Sequence, residues 1–173
     1  TRQETITGPG IGKDCAVLDF DDNYMVVSSD PITGTEKNIG KLCVNICLND
    51  IAAAGAEPVA IMVTCLIPPK AKMEEIKEVL DDLIKACKEN GVDLIGGHTE
   101  ISSAVNRFVL NGTALGKKNK TSEGDVKDGF ELIMSKSAGL EGVGIIASEK
   151  SDEIIKKLGK DVYSEALSYL DMI

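Results

Sequence analysis

The sequence predicts an α/β (α+β) chain on three observations. Apolar runs rich in Val, Ile and Thr alternate with stretches whose apolar residues recur at helical spacing. Glycine, Pro-Pro and Asn-Gly punctuate the joins between them. Hydrophobic content is 43%, with three Tyr, three Phe and no Trp, so the chain is globular and its core rests on Val, Ile, Leu, Ala and Met.

In chain order, Gly8-Pro9-Gly10-Ile11-Gly12-Lys13 is a glycine-rich loop. Cys15 to Phe20 and Tyr24 to Ser29 are two strands around a hairpin turn at Asp21-Asp22-Asn23. Ile39, Leu42, Cys43, Ile46 and Cys47 share one helical face, which predicts a helix over 38–56. Val59 to Ile67 is a β-rich run closed by Pro68-Pro69. Met73, Ile76, Val79, Leu80, Leu83, Ile84 and Cys87 mark an amphipathic helix over about 71–89, ended by Asn90-Gly91. Val92 to Ile95 is a short strand running into Gly96-Gly97-His98-Thr99-Glu100, and Arg107 to Gly116 is another strand. The polar stretch 117–129 is a linker or domain boundary. Phe130 to Met134 restarts as a strand, a helix begins at Gly139, and two further helical patterns reach Ile173. The expected domains are 1–125 and 126–173. The second is the opening of an α/β unit whose completing strands are expected beyond Ile173.

A chain of 173 residues with a net charge of −9 is poorly suited to phosphate backbones, and six aromatics offer little base-stacking surface, so nucleic-acid binding is excluded. An acidic excess is compatible with a nucleotide if a divalent cation lies between carboxylates and phosphates. Cys15, Cys43, Cys47, Cys65 and Cys87 lie mostly in apolar patterns; with one His and no CxxC, a zinc site is not indicated, and buried reduced thiols in a cytoplasmic protein are expected. No apolar run approaches membrane-spanning length.

Four segments carry chemistry. The glycine loop fits neither known phosphate loop: Asp14 follows Gly12-Lys13 where a P-loop has Ser or Thr, and the loop precedes a strand where a dinucleotide fingerprint follows one. It delivers Asp14 to a strand start, or is a mobile N-terminal loop. Ser28-Ser29-Asp30-Pro31 ends a strand; Asp30 is placed to ligate a cation, or simply to make a turn. In Asn49-Asp50-Ile51-Ala52-Ala53-Ala54-Gly55-Ala56-Glu57-Pro58, a carboxylate and an amide precede a run of small residues and a helix stop, which suits close approach of a ligand or tight packing. Gly96-Gly97-His98-Thr99 follows a strand, with a backbone open to a ligand, a hydroxyl and the sole histidine. Asp14, Asp30 and Asp50 together would repel one another unless cations neutralise them, and Mg²⁺ takes one or two carboxylates plus phosphate oxygens.

These segments, in this order, resemble the aminoimidazole ribonucleotide (AIR) synthetase superfamily, which includes that purine enzyme, thiamine-monophosphate kinase, selenophosphate synthetase, the formylglycinamidine synthetase and a hydrogenase maturation factor. The resemblance runs from about Gly8 to Gly142. It implies an amino-terminal domain with a mixed or antiparallel sheet flanked by helices, followed by the start of a second α/β domain, and a homodimer in which amino-terminal sheets pair. It also implies ATP and Mg²⁺ as cofactors. By position, Asp14, Asp30 and Asp50, with Ser28 and Ser29, form the metal group. Gly10, Gly12, Asn49, Gly97, His98, Thr99 and Lys117 form the nucleotide group. No catalytic residue is assigned. His98 stands where several branches carry an acid, and the reactive cysteines of two branches have no counterpart. The expected function is an ATP- and Mg²⁺-binding domain of a kinase or ligase-type synthetase that phosphorylates or activates an oxygen of a small molecule. The alternatives are a non-catalytic dimerisation or nucleotide-sensing module, or a maturation factor acting on a partner protein.

Overall fold

Local periodicity becomes tertiary structure around one helix, α1 (Ile39–Ala53), which is apolar on nearly every side. Such a helix must be covered on two flanks. A sheet takes one flank and α2 (Met73–Glu89) takes part of the other. The computed structural model describes residues 2–120, 127–131 and 133–173. Two compact units divide the chain, Thr1–Ser122 and Glu123–Ile173.

The first unit holds β1 (Thr5–Thr7), β2 (Ala16–Phe20), β3 (Asn23–Ile32), β4 (Glu57–Ile67), β5 (Asp93–Ile101) and β6 (Val109–Asn119). They form one six-stranded sheet in the order β1-β2-β3-β6-β4-β5. Every pairing is antiparallel except β4 with β5. The expected mixed sheet flanked by helices is present.

Strand alternation divides the side chains between two faces. Val26, Ser28, Asp30 and Ile32 of β3 and Leu110 and Ala114 of β6 turn toward α1. Gly112 and Gly116 share that face because α1 leaves no room: a Cβ at Gly112 would lie 2.5 Å from Cys47 Sγ, and one at Gly116 would lie 2.2 Å from Ile51 Cγ2. The two helices also approach closely, since a Cβ at Gly40 would meet the Leu83 backbone nitrogen at 2.5 Å. Asp82 of α2 accepts a hydrogen bond of 2.9 Å from Lys41 N, satisfying one of the orphan amides at the start of α1. Gly55, at φ 72°, ends α1 in the left-handed region.

Three expectations need correction. The strand expected to stop at Ile95 continues through Gly96 and Gly97 to Ile101, because both glycines take positive φ values (151° and 142°) and β4 supplies the ladder. Over 130–134, the described residues form no strand; Phe130, Ile133 and Met134 are exposed, and the described part of their unit offers no strand to pair with. Position 132, and 121–126 of the expected linker, lie outside the described residues; the start of that linker, up to Asn119, belongs to β6. The second unit contains α3 (Leu140–Glu149), α4 (Ser151–Leu158), α5 (Lys160–Ser168) and a closing 3-10 turn (Tyr169–Asp171). Gly144 of α3 sits where a Cβ would be 2.6 Å from Leu170.

Candidate functional site

Ser28 is the centre of the site. It is 3% exposed and points from β3 toward the last turn of α1. Its hydroxyl lies 2.7 Å from Asp50 Oδ2, 3.2 Å from Asp30 Oδ2 and 3.3 Å from the Asp14 carbonyl oxygen. A serine hydroxyl has one proton. It donates to Asp50 at the shortest distance, and the other two oxygens face it without one. The cluster therefore has more acceptor oxygens than protons to share among them, which is the donor set of a hard cation.

Strand and helix geometry bring these groups together. Ser28 and Asp30 are two apart on β3 and so share a face. Asp50 belongs to the last full turn of α1, where its carbonyl accepts from Ala54 N at 2.9 Å and from the Cys15 thiol at 3.3 Å. The thiol, placed just before β2, thus ties the glycine-loop segment to the helix end. Burial raises the Asp50 carboxyl above its usual range; the Ser28 hydrogen bond offsets part of the rise, and Asp30 adds to it through a shared hydrogen bond and through charge. Burial likewise raises the Cys15 thiol, with the charge of Asp50 next in weight.

Among the described residues, no three His, Cys, Asp or Glu side chains converge on a point that would hold a metal unaided. Two carboxylates and a hydroxyl suit an ion that keeps waters and phosphate oxygens as its other ligands, as Mg²⁺ does. The residues present therefore fit that ion.

Other residues singled out in the sequence are placed elsewhere. Ser29 follows Ser28 and so faces the opposite side of the sheet, where it contacts the Gly112 carbonyl (3.1 Å), Thr113 Oγ1 (2.9 Å) and Asn111 Nδ2 (3.1 Å). Lys117 is on that same far side, beside Phe20, Met25 and Val59. Alternation turns the adjacent Lys118 toward the helices instead, with Nζ 3.9 Å from the place a Gly55 Cβ would occupy. Neither Ser29 nor Lys117 reaches Asp50. Lys118 went unremarked in the sequence, although strict alternation along β6 would have pointed to it. Asn49 is exposed on α1. Gly10 and Gly12 form a tight exposed turn closed by Lys13 N to Gly10 O at 3.2 Å, with Gly12 at φ 72°. Asp14 is exposed and touches the cluster through its carbonyl.

Gly97, His98 and Thr99 lie on the edge strand. The register runs Asp30–Gly112–Val63–Gly97 straight across the sheet. Three strand spacings put Gly97 about 14 Å from Asp30. A Cβ at Gly97 would lie 1.9 Å from the Val63 carbonyl oxygen, so only glycine allows this close pairing. His98 and Thr99 border a groove of about 340 Å³ between β5 and α2, with Cys65, Leu80 and Leu83 on its floor. The exposed imidazole of His98 has Glu100 at 3.7 Å.

The fold and this oxygen cluster define an α+β protein with a candidate cation site between a central strand and a helix end. The chain belongs to the family described as AIR synthase related protein, N-terminal domain, whose model matches residues 12–117. It is 31% identical over 180 residues to a phosphoribosylformylglycinamidine cyclo-ligase of Pyrococcus furiosus, covering 95% of this chain and 53% of that protein. It is 26% identical over 170 residues to a putative hydrogenase expression/formation protein of Methanocaldococcus jannaschii, covering 91% of this chain and 51% of that protein. Among solved structures, hydrogenase maturation protein HypE in complex with ATP superposes with a TM-score of 0.67 at 23% identity, over 80% of this chain and 44% of that one. The chain spans about half the length of the curated relatives it matches. No helix among the described residues is long and apolar enough to cross a membrane.

Proposed function

We propose that this chain is the ATP- and Mg²⁺-binding part of a cytoplasmic kinase or ligase-type synthetase that phosphorylates or otherwise activates an oxygen of a small molecule. The observation that carries the reading is the Ser28–Asp30–Asp50 cluster, in which one hydroxyl proton serves three oxygens. Asp30 and Asp50 would hold the ion, and Asp14 would join them from its loop. Mg²⁺, when bound, supplies charge neutralisation for the nucleotide phosphates. Ser28 fixes the Asp50 carboxylate, and Cys15 anchors the backbone beneath it. Gly10 and Gly12, in the exposed turn that precedes Asp14, would offer their backbone to the nucleotide. Gly97, His98 and Thr99 would serve the nucleotide from a second position, since they lie three strands away in the same chain. Residues 126–173 would begin a second domain. The sheet face opposite the helices carries Met25, Val59, Met62 and Leu115, and an apolar depression of about 320 Å³ beside Phe20. We take it as the homodimer face.

Titration calorimetry of the chain with ATP and Mg²⁺ tests the reading. Binding that requires the ion and is lost in Asp50→Ala is the expected result; unchanged affinity in that variant removes the metal role. Sedimentation equilibrium tests the dimer, and Met62→Glu should yield a monomer. A second reading, a maturation factor acting on a partner protein, draws on the similarity to the hydrogenase expression/formation relative. Nucleotide turnover that rises only when a partner protein is added would favour it.

A further inference from the structure

We infer that Cys43 and Cys47 form a redox-sensitive pair whose closure to a disulfide displaces Asp50. Both side chains are fully buried, one turn apart on α1, and both sulfurs press on the same spot of β6. A Cβ at Gly112 would lie 2.5 Å from Cys47 Sγ and 3.0 Å from Cys43 Sγ. Residue 112 is thus the floor of a pocket filled by two thiols, which share a hydrogen bond. All five cysteines are free.

The i, i+4 spacing in an α-helix gives a Cα separation of about 6 Å, inside the range a disulfide spans. The Cβ separation at that spacing is about 5–6 Å, whereas a disulfide needs about 4 Å. Closure therefore requires the helix to tighten or bend between residues 43 and 47. Sheet packing on Gly112 and Gly116 restrains the helix on one flank, and Gly40 against Leu83 restrains it near its start. The strain is passed to the next turn, where Ile51 seats on Gly116, the Cys15 thiol holds the Asp50 carbonyl, and Asp50 with its Ser28 hydrogen bond stands three residues beyond Cys47. A bond formed under such strain is also readily reduced, which makes the change reversible.

The oxidant is a peroxide, a molecule small enough to enter during local opening of the helix pair. One thiol sulfur attacks a peroxide oxygen; the O–O bond breaks, one water leaves, and a sulfenic acid remains. The second sulfur attacks the sulfenic sulfur, the S–O bond breaks, and the hydroxide departs with the second thiol's proton as water. Two thiols lose two electrons, and one peroxide becomes two waters.

The consequence for nucleotide binding rests on the ATP–Mg²⁺ reading; the bond and the displacement do not. The test treats the chain with hydrogen peroxide, quenches with catalase, alkylates free thiols and maps peptides. Amide exchange over residues 48–54 is followed in the same samples. A Cys43–Cys47 linkage, reversed by dithiothreitol and accompanied by at least tenfold faster exchange over 48–54, is the expected result. Absence of that linkage, linkage through Cys65 or Cys87 in its place, or a linkage with unchanged exchange overturns the inference. Cys87→Ala should leave the linkage intact, and Cys43→Ala should abolish it; if Cys43→Ala fails to fold, the mapping of the unaltered chain still decides. A reduced chain that does not bind ATP with Mg²⁺ removes the nucleotide reading alone.

Discussion

Replacing Asp50 by asparagine should stabilise the ligand-free protein while it destroys ion binding. The two carboxylates meet at one hydroxyl through hydrogen bonds of 2.7 and 3.2 Å. The two carboxyls also share a hydrogen bond, which sets their charge centres about 4 Å apart. Two unit charges at that distance repel by about 1 kcal/mol in water and about 4 kcal/mol at an effective dielectric of 20. The site is partly exposed, so solvent screening favours the lower end, about 1 kcal/mol. Asparagine keeps the shape, still accepts from Ser28 and can donate to Asp30. The melting temperature at pH 7 without Mg²⁺ should rise by about 2–5 °C. The raised carboxyl fixes the pH dependence. The native state binds this proton more tightly than the unfolded chain does, so the Asp50 contribution is most favourable below the unfolded value of about 3.9 and is lost as pH climbs through the native one. The gap between variant and parent should open over that interval and close in acid. Mg²⁺ with ATP at a hundred times its dissociation constant would stabilise the parent by about 2.7 kcal/mol, and the variant by far less. Differential scanning calorimetry across pH, with and without Mg²⁺–ATP, measures both effects. A variant that melts lower than the parent at pH 7, or that keeps the full ligand-induced shift, refutes the reasoning.

Three further outcomes follow from the same geometry. Gly97→Ala places a methyl group against the Val63 carbonyl at a φ that disfavours side chains, and should cost at least about 2–3 kcal/mol in urea unfolding while raising amide exchange along β5. Asp82→Ala removes the carboxylate that serves the start of α1 and should cost about 1 kcal/mol, read from the same denaturation curves. Ser29→Ala should leave Mg²⁺–ATP affinity within twofold, because Ser29 faces the other side of the sheet, whereas Ser28→Ala should weaken it at least tenfold; equal effects in calorimetry would contradict the assigned faces.

Helix periodicity located α2: of the stripe read there, Val79, Leu83 and Cys87 are buried, whereas Met73 and Ile84 are exposed and the buried Ala86 lies outside it. The Asp30–Asp50 meeting was legible only as motif order, since their contact depends on how β3 and α1 pack. Alternation within a strand was the neglected signal. Adjacent Ser28 and Ser29 point to opposite faces of the sheet, as do Lys117 and Lys118, whereas the motif order groups both serines alike and says nothing of which lysine faces the helices. The pair Gly96-Gly97 read as a strand end because glycine is scarce in strands; close approach to β4 is the physical reason it sits inside one. β1 escaped notice because a three-residue strand carries no period. The run at 130–134 shows the converse failure, since apolar composition does not make a strand without a neighbouring edge.

The insertion of β6 between β3 and β4 has a consequence for biosynthesis. A ribosome releases the strand bearing Ser28 and Asp30 early and the helix bearing Asp50 soon after, but the partner that flanks β3 on its inner side, from Leu110 to Asn119, emerges last of the six strands of this sheet. At translation rates of about 5–20 residues per second the nascent chain spends several seconds with its acidic segments made and their scaffold missing. The strand pairing that completes the sheet is also the slow, long-range kind. Cation affinity should therefore appear abruptly in stalled nascent chains, only after β6 has left the exit tunnel.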